Sequence, residues 1–128
     1  MKPLDSTCTY RAMVDERILA KHVEVAHSFL KRAVGLLGRG GLETDTLMWI
    51  HPAATIHTLG MQFPIDVVFL NRQNQIVKVV SAVPPGRAVM GGFGAYSVLE
   101  AAAGWLDVDA IQPGAQVTFL LDEAAAVL

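Results

Sequence analysis

The chain predicts an α+β fold: a mostly antiparallel, curled β-sheet or partial β-barrel with one main helix packed on it. Three observations point there. Several short segments rich in Val, Ile, Leu and Phe are separated by turn residues at hairpin-like spacing. One stretch, residues 29–38, carries the period of an amphipathic helix. The apolar segments do not alternate with helical ones as β-α-β units would, so a parallel sheet wrapped in helices is not expected.

Residues 1–14 have no clear period and include Pro3, Asp5, Ser6 and Thr7. A loose N-terminal segment is expected, one that could pair as an edge. Residues 15–122 read as a single β-rich domain and 123–128 as a tail. Residues 17–26 cluster Val and Ile and read as a strand, with His22 on its surface. Ser28 can accept hydrogen bonds from the first free N–H groups of a helix over 29–38. Phe29, Leu30, Ala33, Val34, Leu36 and Leu37 would form its buried face, and Gly38, Gly40 and Gly41 would end it.

Residues 47–50 are a short apolar strand that His51-Pro52 ends, because a proline disfavours continued pairing. Residues 55–58 form the next strand, with a bend at Gly60. Pro64 precedes a strand over 65–70, residues 71–74 are a hairpin loop, and 75–83 the return strand. Both faces of that return strand are largely apolar, which predicts a central position in the sheet. Pro84-Pro85-Gly86 fits a type II turn, with glycine where φ must be positive. Gly91-Gly92-Phe93-Gly94 is a loop; it lacks the spacing and the strand–loop–helix context of a phosphate-binding loop. Residues 97–100 are a short strand, 101–110 a short helix or turn, Pro113-Gly114 a turn, and 116–121 the last strand.

The chain's 128 residues suit one domain, and one that size needs no disulfide or metal to fold. It is 52% hydrophobic and only 17% charged, which favours an extra buried surface such as a homodimer interface. Its net charge of -2 and its scattered Lys and Arg argue against nucleic acid as a partner. Cys8 is the only cysteine, so no internal disulfide exists. The N-terminus shows no signal-peptide pattern and no run is long enough to span a membrane. The expectation is a soluble cytoplasmic protein without a cofactor.

Three groups of residues stand in a recognisable order. Arg32, Gly35, Leu36, Leu37 and Arg39 fall on the expected helix. A second group runs from His57 to Pro64, Ile65 and Asp66, just before the apolar strand 67–70. The third comprises Val98, Leu99, Glu100, Gly104, Ile111, Pro113 and Gly114. In these the stretch from about His27 to Phe119 resembles the bacterial and archaeal family known as domain of unknown function 192. There are departures from the family's pattern. Leu37 stands in place of a methionine, and Ala115 in place of an aspartate. His57-Thr58-Leu59-Gly60-Met61 replaces the frequent Trp-Met-Lys-Asn-Thr and looks like a His-x-x-Gly-Met subgroup. The resemblance implies a compact β-rich fold and no particular activity.

Arg32, His57, Asp66 and Glu100 are the polar residues at motif positions, and they make the candidate ligand-binding set. Asp66 and Glu100 adjoin apolar strand residues, where a carboxylate needs a cation or N–H donors. One reading is structural: an ion pair such as Arg32–Glu100 orients the helix, and Asp66 caps a turn through backbone N–H groups. Another is a cleft for a small polar ligand, glycan or peptide, in a binding or accessory module. A third is a small hydrolase with His57 as general base and Asp66 orienting it; Thr58 and Ser97 are weak nucleophile candidates. A fourth is a structural partner in a secretion or pilus assembly. Whether the chain is an enzyme stays open. A metal held by His51, His57 and Asp66 is disfavoured, since His51-Pro52 reads as an ordinary strand end and no compact ligand motif is present. Met48, Trp49, Met61, Phe63 and Phe69 read as core.

Overall fold

The computed structural model describes residues 10–26 and 42–121. In chain order the strands are β1 (Tyr10–Val14), β2 (Arg17–Ala26), β3 (Thr46–Ile50), β4 (Thr55–His57), β5 (Ile65–Leu70), β6 (Ile76–Val83), β7 (Ala88–Met90), β8 (Ser97–Ala102) and β9 (Val117–Leu121). Seven of them make one sheet in the order β6-β5-β8-β3-β2-β1-β9. Neighbours are antiparallel except β2 and β3, which run parallel. β4 and β7 form a separate antiparallel ribbon.

The expected α+β class is corrected to all-β: the described residues contain strands and turns but no helix, so no main helix packs on the sheet among them. The helix expected over 29–38, with Arg32 and Arg39, lies outside the described residues, as do Cys8 and the tail at 123–128. Of the short helix or turn expected over 101–110, Ala101 and Ala102 finish β8 and the rest forms turns. There Asp107 accepts from the N–H of Asp109 at 3.0 Å, the local hydrogen bond that lets aspartate build a turn instead of a helix.

The curled sheet is a half-barrel whose two edges meet at one end. Gln75, in the β5–β6 hairpin, bridges Gln116 at the start of β9. The N–H of Gly114 donates to Ile76 O at 2.7 Å, that of Ile76 to Ala115 O at 2.9 Å, and that of Val117 to Asn74 O at 2.9 Å. Joining the edges removes part of the exposed row of N–H and C=O groups that an open sheet would present. It also sets β6 at the sheet's edge, not at its centre. β6 reads as apolar on both faces because it contributes to both apolar clusters, with Ile76 and Val79 packing on one face and Val77, Val80 and Val83 on the other.

The start of the domain differs from expectation too. β1 is an interior strand between β2 and β9, with Tyr10, Ala12 and Val14 buried. Its alternation lasts only five residues, too few to stand out.

Two apolar clusters lie on opposite faces of the sheet. The inner one includes Ala12, Val23, Leu47, Trp49, Val68, Leu70, Ile76, Leu99 and Val117. The outer one takes the alternate residues of β3, β5 and β8 (Met48, Ile50, Ile65, Val67, Phe69, Val98) and is roofed by Ile56 of β4, Val89 of β7, Met61 and Phe63. The Met and aromatic group singled out from the sequence is thus all core, but split between the two faces. Trp49 binds the inner face together: its Nε1 donates to Ser97 Oγ at 3.0 Å, and its ring stacks on Phe119 at 3.7 Å.

Candidate functional site

Asp66 sits on β5 with its cross-strand partner Ala101 on the inner face. It is 6% exposed. One carboxylate oxygen accepts from the N–H of Ala82 at 2.8 Å and the other from the N–H of Gly104 at 3.0 Å. Both donors are at backbone irregularities. Ala82 has φ of 52°, in the left-handed region, within the stretch where β6 carries an extra residue opposite Ile65 and Val67. Such a conformation costs a non-glycine residue about 1 kcal/mol or more unless its surroundings hold it. Asp66 holds it, and through Gly104 also fixes the exit from β8.

Glu100 is fully buried on β8, with Met48 and Val67 as cross-strand partners. Val67 belongs to the outer cluster and Ala101 to the inner one. Register and strand alternation therefore put Asp66 and Glu100 on opposite faces of the sheet. They do not share a cleft. The partner expected for Glu100, Arg32, lies outside the described residues.

His57 ends β4, half-buried, opposite Ala88 of β7. Ile56 faces the main sheet, so alternation turns Thr55 and His57, with Met90 and Ala88 across from them, to the other side of the ribbon. His57 and Asp66 are thus separated by the outer cluster and by β5 itself. The His–Asp pair that general-base chemistry requires is not assembled.

The two nucleophile candidates are committed elsewhere. Ser97 is 1% exposed and accepts from Trp49. Thr58 is fully buried; its hydroxyl donates to Pro84 O at 2.7 Å and accepts from the N–H of Arg87 at 2.8 Å. Its backbone N–H donates to Arg87 O, and its carbonyl accepts from Gly86 and Met61. Thr58 therefore clamps the Pro84-Pro85-Gly86 turn, in which Gly86 has φ of 83°, to the end of β4. Among the described residues no three or more His, Cys, Asp or Glu side chains group as metal ligands do.

What the sequence reading missed lies at the other end of the ribbon. Phe93 is 104% exposed and Met90 68% exposed. The loop that carries Phe93 is fixed at its base. A Cβ on Gly91 would come within 2.5 Å of both the Phe69 ring and the Ala95 Cβ, so only glycine fits there. Gly91 also donates to Ala54 O at 2.8 Å, Ala95 to Gly92 O at 3.2 Å, and Tyr96 to Leu70 O at 2.8 Å. Two cations flank the loop. Lys78 Nζ reaches Met90 O, and the Arg72 guanidinium lies over the Tyr96 ring, 4.3 Å from its centroid. One signal was present in the sequence: Asp66 is the only carboxylate between residues 46 and 99, where the charged residues are otherwise Arg72, Lys78 and Arg87.

Fold and site together define a class: among the described residues, a small β half-barrel with a frame-bound aspartate inside and a thin ribbon outside. The chain matches the family DUF192, described as uncharacterized ACR, over residues 11–119, and it belongs to that family. Two solved structures share its fold. One is a protein of unknown function from Novosphingobium aromaticivorans DSM 12444, 20% identical, with a TM-score of 0.71 over 86% of this chain and 83% of that one. The other is a candidate transcription regulator (R01717) from Sinorhizobium meliloti 1021, also 20% identical, with a TM-score of 0.72 over 88% of this chain and 92% of that one. No curated protein matches the chain. No helix among the described residues is long and apolar enough to cross a membrane.

Proposed function

We propose that this chain is a soluble, cytoplasmic binding module and not a hydrolase, and that it recognises its partner with the outer side of the β4–β7 ribbon. The observation that carries this reading is Phe93: a fully exposed aromatic on a loop whose backbone is already fixed. Ordering such a side chain on binding costs little, because the loop is pre-organised. Exposed aromatics that anchor interfaces are used this way. The motif residues divide between two tasks. Asp66 and Glu100 belong to the frame. His57 lies on the recognition side, with Gly60 (φ of 80°) and the buried Met61 shaping the chain beyond it. We assign this His-x-x-Gly-Met variant to a subgroup of the family on that basis.

Turnover and binding measured on the same variants test the reading. Wild type, His57→Ala and Asp66→Asn are assayed against chromogenic esters, phosphoesters, glycosides and peptides. Amide resonances of β4, β7 and residues 91–96 are followed in parallel as ligands are added. The expected result is no turnover that depends on His57 or Asp66, and ligand-induced shifts confined to the ribbon. Turnover abolished by Asp66→Asn in a variant with an unchanged melting temperature overturns it.

A further inference from the structure

We propose that the partner of this surface is an anionic lipid bilayer, which Phe93 and Met90 enter while Lys78 and Arg72 lie among the headgroups. The inference rests on the binding-module reading above and names the partner of the same surface.

The geometry is that of a tip with a cationic collar. Phe93 stands outermost, between Gly92 and Gly94, both with φ of 82°. Met90 is three residues away, at the end of β7. The cations are held back at the base instead of reaching outward: Lys78 is tied to Met90 O at 2.8 Å, and Arg72 to the face of Tyr96. Arg87 adds a further exposed charge at the other end of β7. Residues 67–99 contain no carboxylate to offset them. Apolar tip and positive collar match the layering of an anionic bilayer, where phosphate and carboxylate headgroups overlie hydrocarbon.

Size favours the bilayer over a protein. A stable protein interface buries roughly 800 Å² per partner. Phe93 and Met90 together offer only a few hundred Å², on the order of one large aromatic and one flexible thioether. A bilayer sets no such minimum and requires no complementary shape. Its charged surface also adds long-range attraction that salt screens over about 10 Å.

Co-sedimentation of the full chain with vesicles is the test. Phosphatidylcholine vesicles are compared with phosphatidylcholine–phosphatidylserine vesicles, for wild type, Phe93→Ser and a Lys78→Glu/Arg72→Glu double variant. Wild type is expected in the pellet with the anionic vesicles only, and less so as salt is raised. Phe93→Ser and the double variant are each expected to lower the partition coefficient by about tenfold. A Phe93→Trp variant should shift its emission to the blue on anionic vesicles, since a ring that leaves water does so. Wild type remaining in the supernatant with both vesicle types overturns the proposal. So does vesicle binding that Phe93→Ser leaves unchanged, or binding to an acidic polypeptide such as polyglutamate that competes with vesicles and outlasts them at equal charge. The binding-module reading fails separately, through His57- or Asp66-dependent turnover.

Discussion

The two faces of the sheet are built differently. The inner face draws on every strand of the main sheet and is closed by contacts between its two edges. The outer face uses chiefly β3, β5, β6 and β8, with Ala26 from the end of β2, and a two-stranded ribbon and a few loop residues as its roof. Polar groups follow the same division. On the inner face Asp66 accepts from Ala82 and Gly104, and Ser97 accepts from the Trp49 indole. On the outside, cations lie against a carbonyl and a ring face, and large apolar side chains stand in water. A frame tied together by such bonds can carry a thin outer layer that adds little to it. Substitutions in the frame should therefore cost stability, and those on the outer surface should cost only recognition.

The largest effect is expected at Asp66. Removing its carboxylate leaves two backbone N–H groups without acceptors and frees the strained turn at Ala82. Each hydrogen bond to a charged group is worth roughly 1.5–3 kcal/mol, so Asp66→Ala should lower unfolding free energy by about 3 kcal/mol in urea titration. A loss under about 1 kcal/mol would place Asp66 with the outer surface and break the comparison.

Gly91→Ala comes next. Its Cβ would meet the Phe69 ring and Ala95 Cβ at 2.5 Å, and Phe69 is fully buried. Overpacking of this kind costs about 1–3 kcal/mol. The measurement is thermal melting combined with amide shifts of residues 91–96. Movement of the loop should accompany the loss, because Gly91 is where the outer loop is keyed to the core. Thr58→Val should follow at about 1 kcal/mol, since it keeps the side-chain shape but removes the hydroxyl that bonds Pro84 O and the Arg87 N–H. Hydrogen exchange at Gly86 and Arg87 should quicken in that variant while exchange in β5 stays unchanged.

Most strands of this fold were legible in the sequence. Residues 65–70 match β5, and residues 17–26 match β2, because Val and Ile cluster between turn residues there. The family motif was legible for the same reason: its residues keep their order and spacing. Which residues meet was not legible, and the cause is register. Side chains alternate across a strand, so a shift of one residue between β5 and β8 would put Asp66 and Glu100 on the same face. The observed pairing of Val67 with Glu100 separates them. Nothing in the local sequence sets that pairing; in the fold Asp66 ties β5 both to the extra residue in β6 and to the exit from β8 at Gly104. β7 was missed because three residues between a proline turn and a glycine loop carry too little pattern.

The smallest stability effect should be at Phe93, and it sharpens the comparison most. The side chain is fully exposed, so Phe93→Ser removes no buried area, and the backbone bonds at Gly91, Ala95 and Tyr96 stay in place. Surface changes of this kind fall within about 0.5 kcal/mol. Urea titration of Phe93→Ser should overlay the wild type in both midpoint and slope. An unchanged slope would mean that native and unfolded states expose the same surface as before. A clear loss of stability would mean that Phe93 packs against the protein in solution, making the tip part of the roof. An overlay leaves a large aromatic side chain held in water by a loop that only glycine at 91 permits. Folding alone gives no reason to keep such a side chain there, whereas a surface that must enter another phase does.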